Sequence, residues 1–230
     1  MGCAHAPTSS DAPVLWDGVA AGVARVAEAV ERILDGVPLT DDAALLVLEN
    51  SAGGGNGIGE SLEELIDIHE AMAARGVDLD RVAYCLDSAH LWGAGVDLAG
   101  DVEVDRLVDQ FDRRIGLEKL VMIHYNDSKA AHGSKLDRHQ HIGGGEVGTR
   151  GLAALISHPR LAHVNYYLET PGMEEGWDRL NVERTIQLSQ GNLKLKIMRR
   201  KNVRDFSGRK ALDGSGLHFN TTIIKCLKRA

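Results

Sequence analysis

At 230 residues, with 43% hydrophobic residues and a formal charge of -7, the chain has material for one large core and no compositional sign of disorder. No apolar run approaches the ~20 residues that span a bilayer, and the opening MGCAHAPTSSDAP lacks the basic-then-apolar order of a secretory signal. A membrane protein is excluded as an expectation, and a soluble, cytoplasmic one follows. The charge is uneven: residues 192–230 hold 11 Lys/Arg against 2 Asp/Glu, which leaves an acidic body that needs bound cations or basic patches to meet nucleic acid.

In chain order, apolar residues recur at helical spacing from residue 18 to 34, until Gly36 and Pro38 end the helix. The apolar run 43–48 reads as a strand, SAGGGNGIG as a turn, and residues 61–75 as a helix. The same order returns three times. Strand 82–86 precedes helix 104–115; strand 119–124 precedes a long loop and a short helix at 150–157; strand 164–168 precedes helix 182–190. Cys85 reads as a buried strand residue, and with Cys3 and Cys226 it makes an odd, widely spaced set that argues against disulfides or a cysteine zinc knuckle.

Strands alternating with helices imply βα units and a parallel sheet, since parallel neighbours require a crossover. Each of the four strands carries a carboxylate or imidazole at its carboxyl end: Glu49, Asp87, His124 and Glu169. A barrel gathers such ends on one face, where barrel active sites lie, whereas an open sheet spreads them along a line. The fold class expected is therefore α/β, a partial (β/α)8 TIM barrel amounting to roughly its second half. Residues 1–191 form this domain, and residues 192–230 form an irregular, poorly integrated basic tail.

Two segments concentrate the chemistry. CLDSAHLWGAGVDL sets Asp87 at a strand end and His90 one turn later, an oxygen and a nitrogen donor suited to zinc or manganese, against the plainer reading of Asp87 as a helix cap. HYNDSKAAHGSKLDRHQHIGGGEVG adds His124, then Asp137 and His139 as alternate residues able to point one way from an extended loop. His132 and His141 read as solvated loop histidines, and Trp92 and Trp177 as packing. The glycine-rich turn lacks the GK[ST] ending of a phosphate loop.

LENSAGGGNGIG, CLDSAHLWGAGVDL, HYNDSKAAHGSKLDRHQHIGGGEVG and YYLETPGM together resemble four successive signature blocks of the endonuclease IV family of abasic-site endonucleases. The resemblance implies a TIM barrel with a trinuclear zinc cluster at its strand ends and double-stranded DNA with abasic sites as substrate. It implies phosphodiester cleavage 5′ to the lesion, by water rather than a covalent enzyme nucleophile, in base-excision repair. Glu49 resembles the carboxylate that bridges two zincs, and Asp87, His124 and Glu169 the other ligands of one of that pair; Glu49 and Glu169 are the expected catalytic carboxylates. His90, Asp137 and His139 resemble the ligands of the third zinc.

The family has further βα units ahead of the strand ending in Glu49, two of which supply histidines; here His5 is the only upstream histidine, in a setting that resembles the family block faintly. The expectation is an amino-terminally truncated member with an incomplete first zinc site and impaired activity. A divalent-metal sugar-phosphate isomerase or epimerase of the same superfamily would use the same four strand-end residues but has no need of Asp137 and His139. A half barrel without catalysis is the third reading, and its open edges and apolar inner face favour self-association.

Overall fold

The computed structural model describes residues 18–38, 44–55, 57–172 and 175–195. His5, Cys3, Cys226 and the basic segment from residue 196 onward lie outside the described residues. Helix α1, Val19–Asp35, buries Val23, Ala27, Val30 and Leu34, the stripe that its periodicity predicts. Strand β1, Leu46–Glu49, begins later than the apolar run suggests, because parallel pairing starts at Leu46 opposite Val82 and leaves Leu45 49% exposed.

Helix α2, Leu62–Ala74, is capped by Ser61, whose hydroxyl accepts the Glu64 N–H. The Glu64 carboxylate in turn accepts the N–H groups of Gly59 and Glu60 at 2.7 and 3.1 Å, a variant of the capping box. Those are the donors that a phosphate loop would have to offer, so the glycine-rich turn serves the entry of α2.

Strand β2, Val82–Asp87, is buried throughout and runs directly into α3, Ser88–Ala94. Periodicity does not anticipate this short helix, since seven residues hold too few turns to show a stripe. Asp87 caps it by accepting the His90 N–H at 2.8 Å, and Gly95 ends it in the left-handed region at φ 98°. Helix α4, Asp101–Arg114, and strand β3, Leu120–His124, follow as expected. The loop after β3 contains a short antiparallel pair, β4 (Asp127–Ser128) with β5 (His139–Gln140). Helix α5, Gly148–Ile156, strand β6, Asn165–Tyr167, and helix α6, Trp177–Ser189, complete the described elements.

The four main strands form one parallel sheet in the order β1-β2-β3-β6. Among the described residues it is an open segment of a barrel wall, not a closed barrel. Its helix-facing side packs Leu48, Tyr84, Leu86, Ile123 and Tyr166 into the core with Leu65, Val104, Phe111, Leu152 and Leu155. Tyr84 meets Phe111 edge-on with ring centroids 5.8 Å apart, and the Tyr84 hydroxyl reaches His69 Nδ1 at 3.0 Å. Tyr125 and Tyr166 donate to the carbonyls of Leu152 and Leu155, so each of these buried phenols keeps a partner.

The crossing of α5 over the chain at Leu98 depends on one missing side chain: a Cβ added at Gly151 would stand 1.9 Å from the Leu98 carbonyl oxygen. Gly151→Ala is expected to destabilise the protein by about 1–3 kcal/mol through overpacking against rigid backbone. A urea midpoint equal to that of the parent chain would show that the crossing can relax.

Candidate metal centre

Glu49, Asp87 and His124 are the last residues of β1, β2 and β3, and Glu169 follows the end of β6. Because the strands are parallel and neighbouring, their carboxyl ends open on one face. In register Asp87 pairs with His124, whereas Glu49 pairs with Cys85, so Glu49 starts lower and its longer side chain makes up the difference. His124 Nδ1 lies 2.9 Å from Glu49 Oε1, 3.3 Å from Glu169 Oε2 and 4.0 Å from Asp87 Oδ2.

Beside this group stands a second, assembled by α3 and the β4–β5 pair. His90 Nε2 is 3.5 Å from Asp137 Oδ2, and His139 Nε2 is 3.3 Å from Asp137 Oδ1 and 3.6 Å from Asp87 Oδ2. Asp87 is fully buried and belongs to both groups, while Asp137 sits on the rim with a side chain 61% exposed. All seven residues singled out in the sequence are thus brought to one face. Ligand atoms of Asp87, His90 and His139, and of Asp87, His124 and Glu169, form sets lying within 4.8 Å of one another.

The imidazoles are held in a defined tautomer. His90 Nδ1 is 2.9 Å from the Asn50 carbonyl oxygen, and His139 Nδ1 is 2.9 Å from the Glu169 carbonyl oxygen. A carbonyl only accepts, so each Nδ1 carries a proton, and Nε2 is the nitrogen left to offer a lone pair to a metal on the carboxylate side. His139 Nε2 is buried without a hydrogen-bond partner. Nε2 faces the anionic oxygens of Asp137 and Asp87 at 3.3 and 3.6 Å, a gap that a proton or a metal cation would fill favourably. A histidine whose other nitrogen donates to a main-chain carbonyl is the usual arrangement of a metal ligand. The donor set of carboxylate oxygens and imidazole nitrogens fits zinc or manganese.

In the metal-free state protons are drawn into the same space. Burial pulls the His90 pKa down, but the Asp137 hydrogen bond, the Asp87 charge and the Asn50 carbonyl outweigh it and raise it to about 9. For His124, burial is likewise overcome, by its contacts with Cys85 and Glu49, and the pKa is raised. Asp137 is held below the usual carboxylate range, chiefly by its hydrogen bond with His90.

Sequence reasoning missed the buried polar residues beneath the ligands. Asn50 Oδ1 accepts the Asp87 N–H at 2.7 Å, locking β1 to β2. Asn126 donates to Asp87 Oδ2 at 2.7 Å and accepts the Glu169 N–H at 2.8 Å, which fixes Asp87 and ties β3 to the segment after β6. The Ser88 hydroxyl spans β2 and β3 by donating to the Asn126 carbonyl at 2.7 Å. The available signal was position: each of the three stands one or two residues after a strand-end ligand. His141, read as solvated, is half-buried and stacks on Trp177 at 4.7 Å, because Asn181 of α6 also draws that loop inward. His132 is exposed as expected, with its ring edge-on to Trp92.

The open parallel sheet, with its candidate ligands gathered at the strand ends, defines a segment of an α/β barrel. Residues 3–191 match the family described as xylose isomerase-like TIM barrel, and the chain belongs to that family. Among its relatives, the chain is 39% identical over 147 residues to "Probable endonuclease 4" of Methanosphaerula palustris, covering 64% of this chain and 50% of the relative. It is 38% identical over 163 residues to the protein of the same name from Alkaliphilus oremlandii, covering 70% and 54%. The crystal structure of endonuclease IV from Thermus thermophilus superposes with a TM-score of 0.60 at 33% identity, covering 74% of this chain and 58% of that one. The chain spans about half the length of the curated relatives it matches. No described helix is long and apolar enough to cross a membrane.

Proposed function

We propose that the chain carries the metal-binding half of an endonuclease IV-type enzyme, with zinc held by Glu49, Asp87, His90, His124, Asp137, His139 and Glu169. The observation that carries this reading is the buried, unpartnered Nε2 of His139 aimed at Asp87 and Asp137. The substrate proposed is double-stranded DNA with an abasic site, cleaved on the 5′ side during base-excision repair in the cytoplasm; the relatives named endonuclease 4 and endonuclease IV support the cleavage, and the resemblance of the four sequence blocks carries the rest. Bound zinc supplies Lewis-acid polarisation of a phosphoryl oxygen and acidifies water. The chain's own part is positional. Asn126 and the backbone of α3 hold the two Asp87 oxygens in place, while the carbonyls of Asn50 and Glu169 orient the rings of His90 and His139. The carboxylates of Glu49, two strands away on β1, and of Glu169, just after the adjacent β6, flank His124, where they can take protons from an attacking water.

A single-metal sugar isomerase is disfavoured by the second group, since Asp137 and His139 would then have no task. Two further parts of the reading concern the isolated polypeptide. Its activity is expected to be impaired, and the outer edges of β1 and β6, which pair with no further strand among the described residues, together with the half-buried inner-face residues Val47 and Met122, favour self-association.

His139→Ala is expected to lower bound zinc by about one equivalent per chain, read by metal analysis after dialysis. Unchanged stoichiometry would remove His139 from the ligand set. The pH dependence follows from His90, whose raised pKa keeps it protonated below about pH 9 in the metal-free chain. A metal entering that group must displace this proton, so its affinity is expected to fall about tenfold for each unit that the pH drops below that value, and to level off above it. Calorimetric titrations that give one affinity at all pH values would rule out His90 as a ligand.

A further inference from the structure

Sulfur lies at the floor of the centre, and the hydrolytic reading does not use it. Cys85 of β2 and Met122 of β3 are register partners, and both line the cavity of about 440 Å³ that Glu49 and His124 also border. Cys85 is 1% exposed, so its thiol is sheltered from bulk solvent while facing this space. One ligand atom from each of Glu49, Cys85 and His124 lies within 4.8 Å of the other two. This set differs in kind from the groups above it: they offer carboxylate and imidazole only, whereas here a thiol joins one of each with a thioether on the adjacent strand. Thiolate and thioether select soft cations over the hard ones that carboxylates prefer.

We infer that Glu49, Cys85 and His124 form a soft-cation site at the base of the centre, suited to a thiophilic divalent ion such as cadmium. On binding, the cation accepts lone pairs from Cys85 sulfur, a His124 nitrogen and a Glu49 oxygen. The thiol proton, and the imidazolium proton that His124 carries, pass to solvent, and no electrons change hands. The site rests on the same Glu49 and His124 as the hydrolytic reading but not on any cleavage activity. A soft ion seated there withdraws both side chains from a zinc held with Asp87 and Glu169, so the two occupancies compete.

The test uses the full chain, stripped of metal and titrated with cadmium and with cobalt(II). A sulfur-to-metal charge-transfer band in the ultraviolet is expected, saturating at one equivalent per chain. It should persist in the double variant Cys3→Ser/Cys226→Ser and in His139→Ala, and vanish in Cys85→Ser with at least about a tenfold loss of cadmium affinity. Circular dichroism confirms that each variant is folded, and the parent and Cys3→Ser/Cys226→Ser chains carry the test even if Cys85→Ser is not. No charge-transfer band in the parent, or a band lost with Cys3 and Cys226, overturns the soft site. If zinc is still retained in that case, the hydrolytic reading stands alone; if neither ion is retained, both readings fall.

Discussion

Alanine in place of Asp87 is expected to remove more metal than any other single substitution in the centre and to reduce abasic-site incision at least about a hundredfold. Asp87 Oδ2 lies 3.6 Å from His139 Nε2 and 4.0 Å from His124 Nδ1, and the residue is common to the Asp87–His90–His139 and Asp87–His124–Glu169 groups. Removing it also leaves the Asn126 amide and the His90 N–H without their acceptor. An unsatisfied buried donor costs about 1–3 kcal/mol, so part of the effect would be structural. Asp87→Asn separates the two contributions: its oxygen keeps one of the acceptor roles and its volume is unchanged, but its negative charge is gone. Metal analysis should show low occupancy in both variants, with thermal stability falling further in the alanine form. Full metal content in Asp87→Asn would mean that its charge is dispensable, and the shared-ligand account would fail.

The second large effect concerns the isolated chain. By itself it is expected to incise an abasic duplex at least about a thousandfold more slowly than a complete relative such as the Thermus thermophilus enzyme, which corresponds to about 4 kcal/mol of transition-state stabilisation. Two losses combine. Two imidazoles stand near Glu49 among the described residues, but His90 turns Nδ1, 3.6 Å from Glu49, to the Asn50 carbonyl, which leaves His124 as the one imidazole able to share an ion with Glu49, so an ion there is weakly held. The open sheet also presents one wall of the barrel, so a bent duplex and an extruded sugar are positioned from one side. Incision assays on the chain alone, and then with the separately expressed amino-terminal half of a complete relative, provide the check. Recovery on mixing is the expected result. A rate for the lone chain equal to that of the complete enzyme would show that its own residues suffice, and the account of the Glu49 ion would be wrong.

Much of this centre was written in the order of residues. Periodicity located the strands, because burial between helix layers demands contiguous apolar runs such as Val82–Asp87, and a polar residue ending each run marks the point where the chain leaves the core. Parallel strands place all their carboxyl ends on one side, so Glu49, Asp87, His124 and Glu169 could be assigned to a common face from sequence. The alternation of Asp137 and His139 likewise foretold a shared direction: His139 opens β5, and the Arg138 carbonyl before it accepts the Lys129 N–H, which holds the stretch alongside β4.

Other features depended on contacts between residues far apart in the chain. That Asp87 caps a helix and still offers its other oxygen to the candidate metal centre follows from α3 beginning at the residue after it, while the sequence allowed either role alone. The tautomers of His90 and His139 are set by the carbonyls of Asn50 and Glu169, main-chain atoms that every residue possesses and that no side-chain pattern can signal. The bracing by Asn50, Ser88 and Asn126 escaped notice for a related reason: an asparagine or serine after a strand is ordinary, and only packing shows which of them is buried with a partner. Sequence by itself determined which side chains reach the centre, since that depends on strand polarity and local periodicity. Tertiary structure alone decided which oxygen, which ring nitrogen and which pair of strands each one serves, because those choices are made by hydrogen bonds across 30 to 43 residues of chain.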